Sequence, residues 1–297
     1  MENNKAMNNK STNNNWILTA QCPSRLGTID VVTRFLKESR CYVNEISSFN
    51  DAPAERFFIR VAFQPDRTLT FDKDRFAESF AARAQEFDMT FELSSSAERM
   101  KTVILVSKAD HCLNDLLYRY RTGQLALDVK AIVSNHPDLE PLARWHNIPY
   151  HYLPVTPETK TTQEAQIRAV IDDMDADLIV LARYMQVLSP QLCDALNGRA
   201  INIHHSLLPG FKGARPYHQA YEKGVKLVGA TAHYINNDLD EGPIIAQGVE
   251  SVDHAYFPED LVNKGRDIEC LTLARAIQYH TERRVFLHAQ KTVILSK

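Results

Sequence analysis

Three side chains in the second half of this 297-residue chain could act together on one carbonyl group: Asn202, His204 and Asp240. Asn202 and His204 stand two apart at the end of Arg199-Ala-Ile-Asn-Ile-His, a short apolar run that reads as a buried parallel strand. That spacing sends both side chains to one face, at the carboxyl edge where open α/β sheets bind ligands. Residues 227–234 and 243–249 read as two further strands, so 235–242 is a loop that can bring the Asp240 carboxylate over the first strand. An amide N–H and an imidazole suit the oxyanion formed when a carbonyl is attacked. A carboxylate can hold the imidazolium or take a proton from water. The trio therefore suits acyl chemistry without a covalent nucleophile. Taken singly, each residue also has an ordinary explanation: Asn as a turn former, His as a structural residue, Asp-Glu-Gly as a plain turn.

The elements around the trio alternate. Strands at about 102–107, 128–133, 150–153, 177–181 and 199–203 are separated by helical stretches near 111–121, 138–146, 162–173 and 189–196. This is the pattern of an α/β, Rossmann-like, doubly wound and mainly parallel sheet with helices on both faces. Strands at 227–234 and 243–250, a long helix near 258–282 and a hairpin at 284–295 complete it. No GxGxxG follows the first of these strands, which argues against a dinucleotide. The amino-terminal third reads as strand 16–21, helix 27–38, strands 41–47 and 56–63, helix 74–87 and strand 89–93. The first helix carries Ile29, Val32, Phe35 and Leu36 at helical spacing, and the third strand alternates Phe57, Ile59, Val61 and Phe63. The order βαββαβ is a ferredoxin-like split βαβ sandwich. The expected division is a disordered tail 1–14, a domain 15–94, a small-polar linker 95–101 and a catalytic domain 102–297.

Asn202-Ile-His-His-Ser-Leu-Leu-Pro209, then Gly213-Ala-Arg-Pro216, then Leu239-Asp-Glu-Gly-Pro243 resemble, in order and spacing, the signature of the folate-dependent formyl-transferring enzymes over residues 100–297. The resemblance implies that Asn202, His204 and Asp240 are catalytic. It places the pteridine-binding strand end and loop on residues 181–188, with Arg183, Met185, Gln186, Val187 and Leu188 contacting substrate. His233 joins that set, either orienting Asp240 or Asn202 or filling the strand, and His205 stands behind the trio or packs.

Members of that family differ in the formyl acceptor. Ribonucleotide-using members open their first strand into a Gly-rich phosphate loop, whereas here the strand runs into Lys108-Ala-Asp-His-Cys-Leu-Asn-Asp115, without glycine. A tRNA acceptor would require a basic surface, yet the formal net charge is −3 and no basic block occurs. Water remains. His204-His205-Ser206 in place of His-Pro-Ser, the run from Gly213 to Tyr221, and Ala230-Thr-Ala-His-Tyr234 are similar to formyltetrahydrofolate deformylases, which hydrolyse 10-formyltetrahydrofolate to tetrahydrofolate and formate. Two alternatives stay open: formyl transfer to a non-tRNA acceptor, and a non-catalytic amino-acid sensor. The turn Cys22-Pro-Ser-Arg-Leu-Gly27 resembles that of ACT domains, with Ser24 where Asp is usual. Arg25 and Gly27 would form the ligand turn of an amino-acid effector, or the domain would simply pair subunits edge to edge into a dimer or tetramer.

With 44% hydrophobic and 24% charged residues, the chain has material for two cores. No apolar run approaches the roughly eighteen residues of a membrane span. The Asn-rich first fifteen residues resemble neither a signal peptide nor part of a fold. Five scattered cysteines without a CxxC pair read as free thiols of a reducing cytoplasm. Cys112, near a helix opening, is either reactive or packing. His204, His205, His218, His233 and Asp240 lie close in sequence, but HExxH and cysteine ligands are missing, so neither a metal nor a tightly bound cofactor is expected; the folate is the substrate.

Overall fold

In the computed structural model, which describes residues 15–68, 70–210 and 216–297, the chain divides into two units. One runs to Glu98 and includes Leu295–Lys297; the other is Arg99–Ile294. The expected tail 1–14 and residues 213–215 of the quoted motif lie outside the described residues.

The first unit is β1 (Trp16–Pro23), α1 (Thr28–Glu38), β2 (Cys41–Asp51), β3 (Arg56–Pro65), α2 (Lys73–Glu86) and β4 (Thr90–Ser95). Its sheet has the order β2-β3-β1-β4 and every pair is antiparallel. Strand periodicity of two puts Leu18, Ala20 and Cys22 of β1 with Phe57, Ile59, Val61 and Phe63 of β3 in one core, against Val32, Phe35, Leu36, Phe76 and Phe80 of the helices. Asp72 caps α2 by accepting from the backbone N–H groups of Asp74 and Arg75. The strands run longer than hydrophobicity indicates. β2 continues through Ser48 and Asn50 because its backbone pairs along all of β3, whatever the side chains. Likewise Ser94 and Ser95 pair with Ile17 and Trp16, and Met100 pairs with Leu127. The linker expected at 95–101 is thus cut to residues 96–99, since small polar residues interrupt side-chain periodicity without interrupting a ladder.

The second unit begins with β5 (Met100–Val106), α3 (His111–Thr122), β6 (Leu127–Ser134), α4 (Glu140–Trp145) and β7 (Tyr150–Tyr152). It continues with α5 (Lys160–Asp173), β8 (Leu178–Leu181), α6 (Pro190–Ala195), β9 (Ala200–His204) and α7 (Pro216–Glu222). β10 (Leu227–Tyr234), β11 (Ile244–Ser251), α8 (Pro258–Thr281), β12 (Val285–His288) and β13 (Lys291–Ile294) follow. The seven-stranded sheet has the order β11-β10-β9-β8-β5-β6-β7, parallel from β9 to β7, with β10 antiparallel to both its neighbours. Val103-Ile104-Leu105-Val106 is fully buried because both faces are covered. Ile104 and Val106 face α3 and α8, while Val103 and Leu105 face α5 and α6. The short helix α7 escaped the periodicity; its signal is Pro216 at the first helical position. Chain order reverses between β5 and β8, and the carboxyl ends on that side of the sheet carry the site.

Candidate active site

Asn202 and His204 close β9, and the neighbouring antiparallel strand puts His233 directly opposite Asn202 in register. Asn202 Nδ2 and His233 Nε2 are 3.2 Å apart, and His233 Nδ1 is 2.8 Å from the Tyr234 carbonyl. The carbonyl can only accept, so His233 carries its proton on Nδ1, and its Nε2 accepts from Asn202; this tautomer is assigned from the network. Burial lowers the His233 pKa below its ordinary value, against the Tyr234 hydrogen bond and the Asp240 charge, and keeps the ring neutral. Asn202 is thereby oriented with one amide N–H committed and the other available.

Asp240 Oδ2 lies 3.2 Å from His204 Nδ1, and Oδ1 lies 3.9 Å from His233 Nε2. Burial raises the Asp240 pKa, but the hydrogen bond and electrostatic attraction of His204 outweigh it, so the carboxyl is held below its ordinary value. The aspartate remains ionised. The His204 side chain is only 5% exposed, and its Nε2 is buried with no hydrogen-bond partner among the described residues. A buried ring nitrogen without a protein partner is rare in a folded chain.

Asp240 has a left-handed backbone, φ 58°, a conformation uncommon outside Gly that Asp and Asn adopt more often than most residues. The turn closes because Gly242 follows: a Cβ there would stand 1.7 Å from the Tyr234 carbonyl oxygen and 3.1 Å from His233 Nδ1. Gly242 was present in the sequence motif without a role. Its role is to let the loop come back against β10, so that Asp240 meets His204.

Residues 181–188 leave β8 and form the opposite wall. Arg183 is also left-handed, φ 65°. The Met185 backbone N–H donates to Ser107 Oγ at 3.0 Å, the Ser189 N–H donates to Glu164 Oε1 at 2.9 Å, and Lys160 donates to the Val187 carbonyl. Together with Ile235, Asn236 and Leu239 these residues bound a cleft of about 280 Å³ that also contains Asn202, His204, His205, His233 and Asp240. The structure therefore brings Arg183, Met185, Gln186, Val187 and Leu188 to the same cleft as the trio. Met185, Val187 and Leu239 are 57%, 56% and 62% exposed, an apolar rim suited to a flat ring. Asn236, Leu239 and Ile235 had no distinguishing sequence signal beyond their place in the loop.

Past His205 the chain is pinned to β10. Thr231 Oγ1 donates to the Ser206 carbonyl at 2.9 Å and accepts from the Leu208 N–H at 3.0 Å, and Gln247 donates to the Leu208 carbonyl at 3.1 Å. This gives the Ser206-Leu-Leu-Pro209 part of the motif a structural reason. His218 is exposed on α7. Arg25 and Gly27 lie in the first unit: Gly27 has φ 87° at the start of α1, and Arg25 pairs with Asp88.

Behind His205 is a second polar group. Glu269 on α8, 2% exposed, accepts from Tyr217 at 2.9 Å through Oε1 and from His111 at 2.8 Å through Oε2, with Arg183 Nε 3.4 Å away. Among the described residues, His111, Cys112 and Glu269 are the one set of metal-ligand types that converges, within 4.8 Å. Its chemistry is that of an ion-pair network. The Glu269 oxygens are engaged, and contact with Cys270, followed by burial, pushes the Cys112 pKa far up, so its thiol stays protonated and unreactive.

A protein-family model described as formyl transferase matches residues 100–277. The chain is 48% identical to the formyltetrahydrofolate deformylase of Corynebacterium sp. (strain P-1), over 94% of this chain and 97% of that one. The crystal structure of a formyltetrahydrofolate deformylase from Pseudomonas putida KT2440 superposes with a TM-score of 0.89 at 65% identity, covering 95% of this chain and all of that one. The one from Burkholderia mallei ATCC 23344 gives 0.90 at 50% identity over the same shares. A cleft with an amide, an imidazole and a carboxylate at a strand's carboxyl edge, in a chain matched over 94–95% of its length by such relatives, makes this protein a member of the formyltetrahydrofolate deformylase family.

Proposed function

We infer that this chain hydrolyses 10-formyltetrahydrofolate to tetrahydrofolate and formate, a hydrolysis of a formyl C–N bond that serves one-carbon and purine metabolism. The observation that carries it is the open His204 Nε2, backed through Nδ1 by an ionised Asp240. The pterin packs against residues 185–188, and the N10-formyl group sits over the trio. The Nε2–H of His204 and the free N–H of Asn202 hold the oxygen, each donor being worth about 3 kcal/mol to the transition state. A lone pair of the water oxygen bonds to the formyl carbon as the π pair moves onto the carbonyl oxygen, and Asp240 takes the water proton. When the C–N10 bond breaks, that proton goes to N10, and formic acid ionises into solvent. A carboxylate held below its ordinary pKa is a weak base, so Asp240 acts as much by placing water as by accepting its proton. Purified protein given 10-formyltetrahydrofolate alone should release formate and tetrahydrofolate in equal amounts. Turnover only after an amine acceptor is added would make the protein a transferase.

The first unit we assign to subunit pairing, in the manner of an ACT domain. β2 is an eleven-residue edge strand with Tyr42, Val43, Ile46 and Phe49 exposed, and two such edges can extend one sheet. Ile46→Lys should shift the sedimenting species toward monomer; an unchanged mass places the contact elsewhere. An amino acid bound at Arg25 and Gly27 is the regulatory form of the same assignment, and calorimetric titration with the common amino acids tests it. A cytoplasmic location agrees with five unpaired cysteines and with the absence, among the described residues, of any helix long and apolar enough to cross a membrane.

A further inference from the structure

His205 has been placed but given no task. Its ring lines the cleft beside His204, with centroids 5.0 Å apart, and faces Tyr217 edge-on at 6.4 Å on the other side. Among the described residues it makes no hydrogen bond to the protein. Burial, then the charges of Arg183 and His204, lower its pKa to about 4, so its ring is neutral and one nitrogen can accept. Asp240 lines the same cleft as His205.

The wall behind His205 is unusually costly. Glu269 is a carboxylate at 2% exposure, with three partners from three separate elements: Arg183 after β8, His111 on α3 and Tyr217 on α7. Burial raises its pKa, but the His111 hydrogen bond and the Arg183 charge outweigh this, so it is ionised. Arg183 takes a left-handed backbone in reaching it. Gly265 serves the same arrangement, because a Cβ there would come within 2.1 Å of the Tyr217 ring. None of these groups is used by the trio.

We propose that His205 is a further catalytic residue, accepting a hydrogen bond from the attacking water beside Asp240, and that Glu269 is a positioning residue holding it there through Arg183 and Tyr217. This rests on the reading of Asn202, His204 and Asp240 as catalytic with water as acceptor. Water offers two hydrogens. One goes to Asp240 and is the proton transferred; the other goes to His205 and is only held, so the balance of the reaction is unchanged. Two acceptors fix the orientation of the water and aim a lone pair at the formyl carbon, which a single acceptor leaves free to rotate.

The experiment is steady-state hydrolysis of 10-formyltetrahydrofolate by the full chain carrying His205→Ala, His205→Asn or Glu269→Gln. Folate binding by fluorescence and thermal midpoints serve as folding controls. For His205→Ala we expect kcat to fall about a hundredfold with KM within twofold, and for His205→Asn, whose amide oxygen can also accept, recovery of about tenfold. Glu269→Gln, which keeps the hydrogen-bond acceptors and loses the charge, should lower kcat about tenfold at unchanged KM. A His205→Ala enzyme that binds folate and keeps kcat within threefold overturns the proposal, and so does a loss confined to KM. If Glu269→Gln does not fold, the two His205 variants still decide. Failure of the underlying reading shows itself separately, as near-normal turnover by His204→Ala.

Discussion

An Asp240→Asn protein should bind its folate normally and release almost no formate. The substitution keeps the size and the left-handed backbone, which Asn tolerates as Asp does, so the loop has no reason to move. It removes the charge that faces His204 Nδ1 at 3.2 Å and, with it, the acceptor proposed for the water proton. Loss of general-base action alone costs about 10²- to 10⁴-fold. The weakened oxyanion donor at His204 adds to this, though not additively, because the two residues act as a unit. Fluorescence titration and a formate assay on the same preparation check it: a variant with kcat within tenfold of the parent removes Asp240 from the chemistry.

Gly242→Ala should be as damaging without touching any reacting group. A Cβ 1.7 Å from the Tyr234 carbonyl oxygen cannot be absorbed by rotating a side chain, since the obstructing atom is backbone. The loop must lift, and it is the element that holds Asp240 over His204. Overpacking costs on the order of 1–3 kcal/mol of stability, and misplacing a catalytic group by about an ångström costs about a hundredfold in rate. The same Tyr234 oxygen accepts from His233, so the shift also loosens the support of Asn202. Activity should fall at least a hundredfold while the thermal midpoint drops by several degrees. An active Gly242→Ala protein, with both quantities near the parent values, would show that the turn can relocate.

The sheet was legible because its buried strands are continuous apolar runs and its helices keep their own period. Where polar residues take part in a ladder, as at Ser48, Asn50, Ser94 and Ser95, hydrophobicity ends before the strand does. Helix α7 is too short for a period to register, and the shortening of the linker follows from backbone pairing that side chains do not announce.

Asn202 and His204 needed only their spacing, because an extended strand puts residues two apart on one face. Asp240 needed its motif, and the loop between two recognisable strands limited where it could go. What pairwise spacing could not carry is every contact between residues far apart in the chain. His233 reaches Asn202 only because β10 runs antiparallel to β9 in one particular register, and a shift of one residue would turn it away. Glu269, Arg183, His111 and Tyr217 come from four separated segments and meet at the carboxyl edge of the sheet. The depressed pKa values of Asp240 and His205 follow from that convergence, since burial and neighbouring charge are properties of the assembled site. Local order along the chain determined which chemistry was present. The packing of distant segments decided which of those groups are charged and which are neutral.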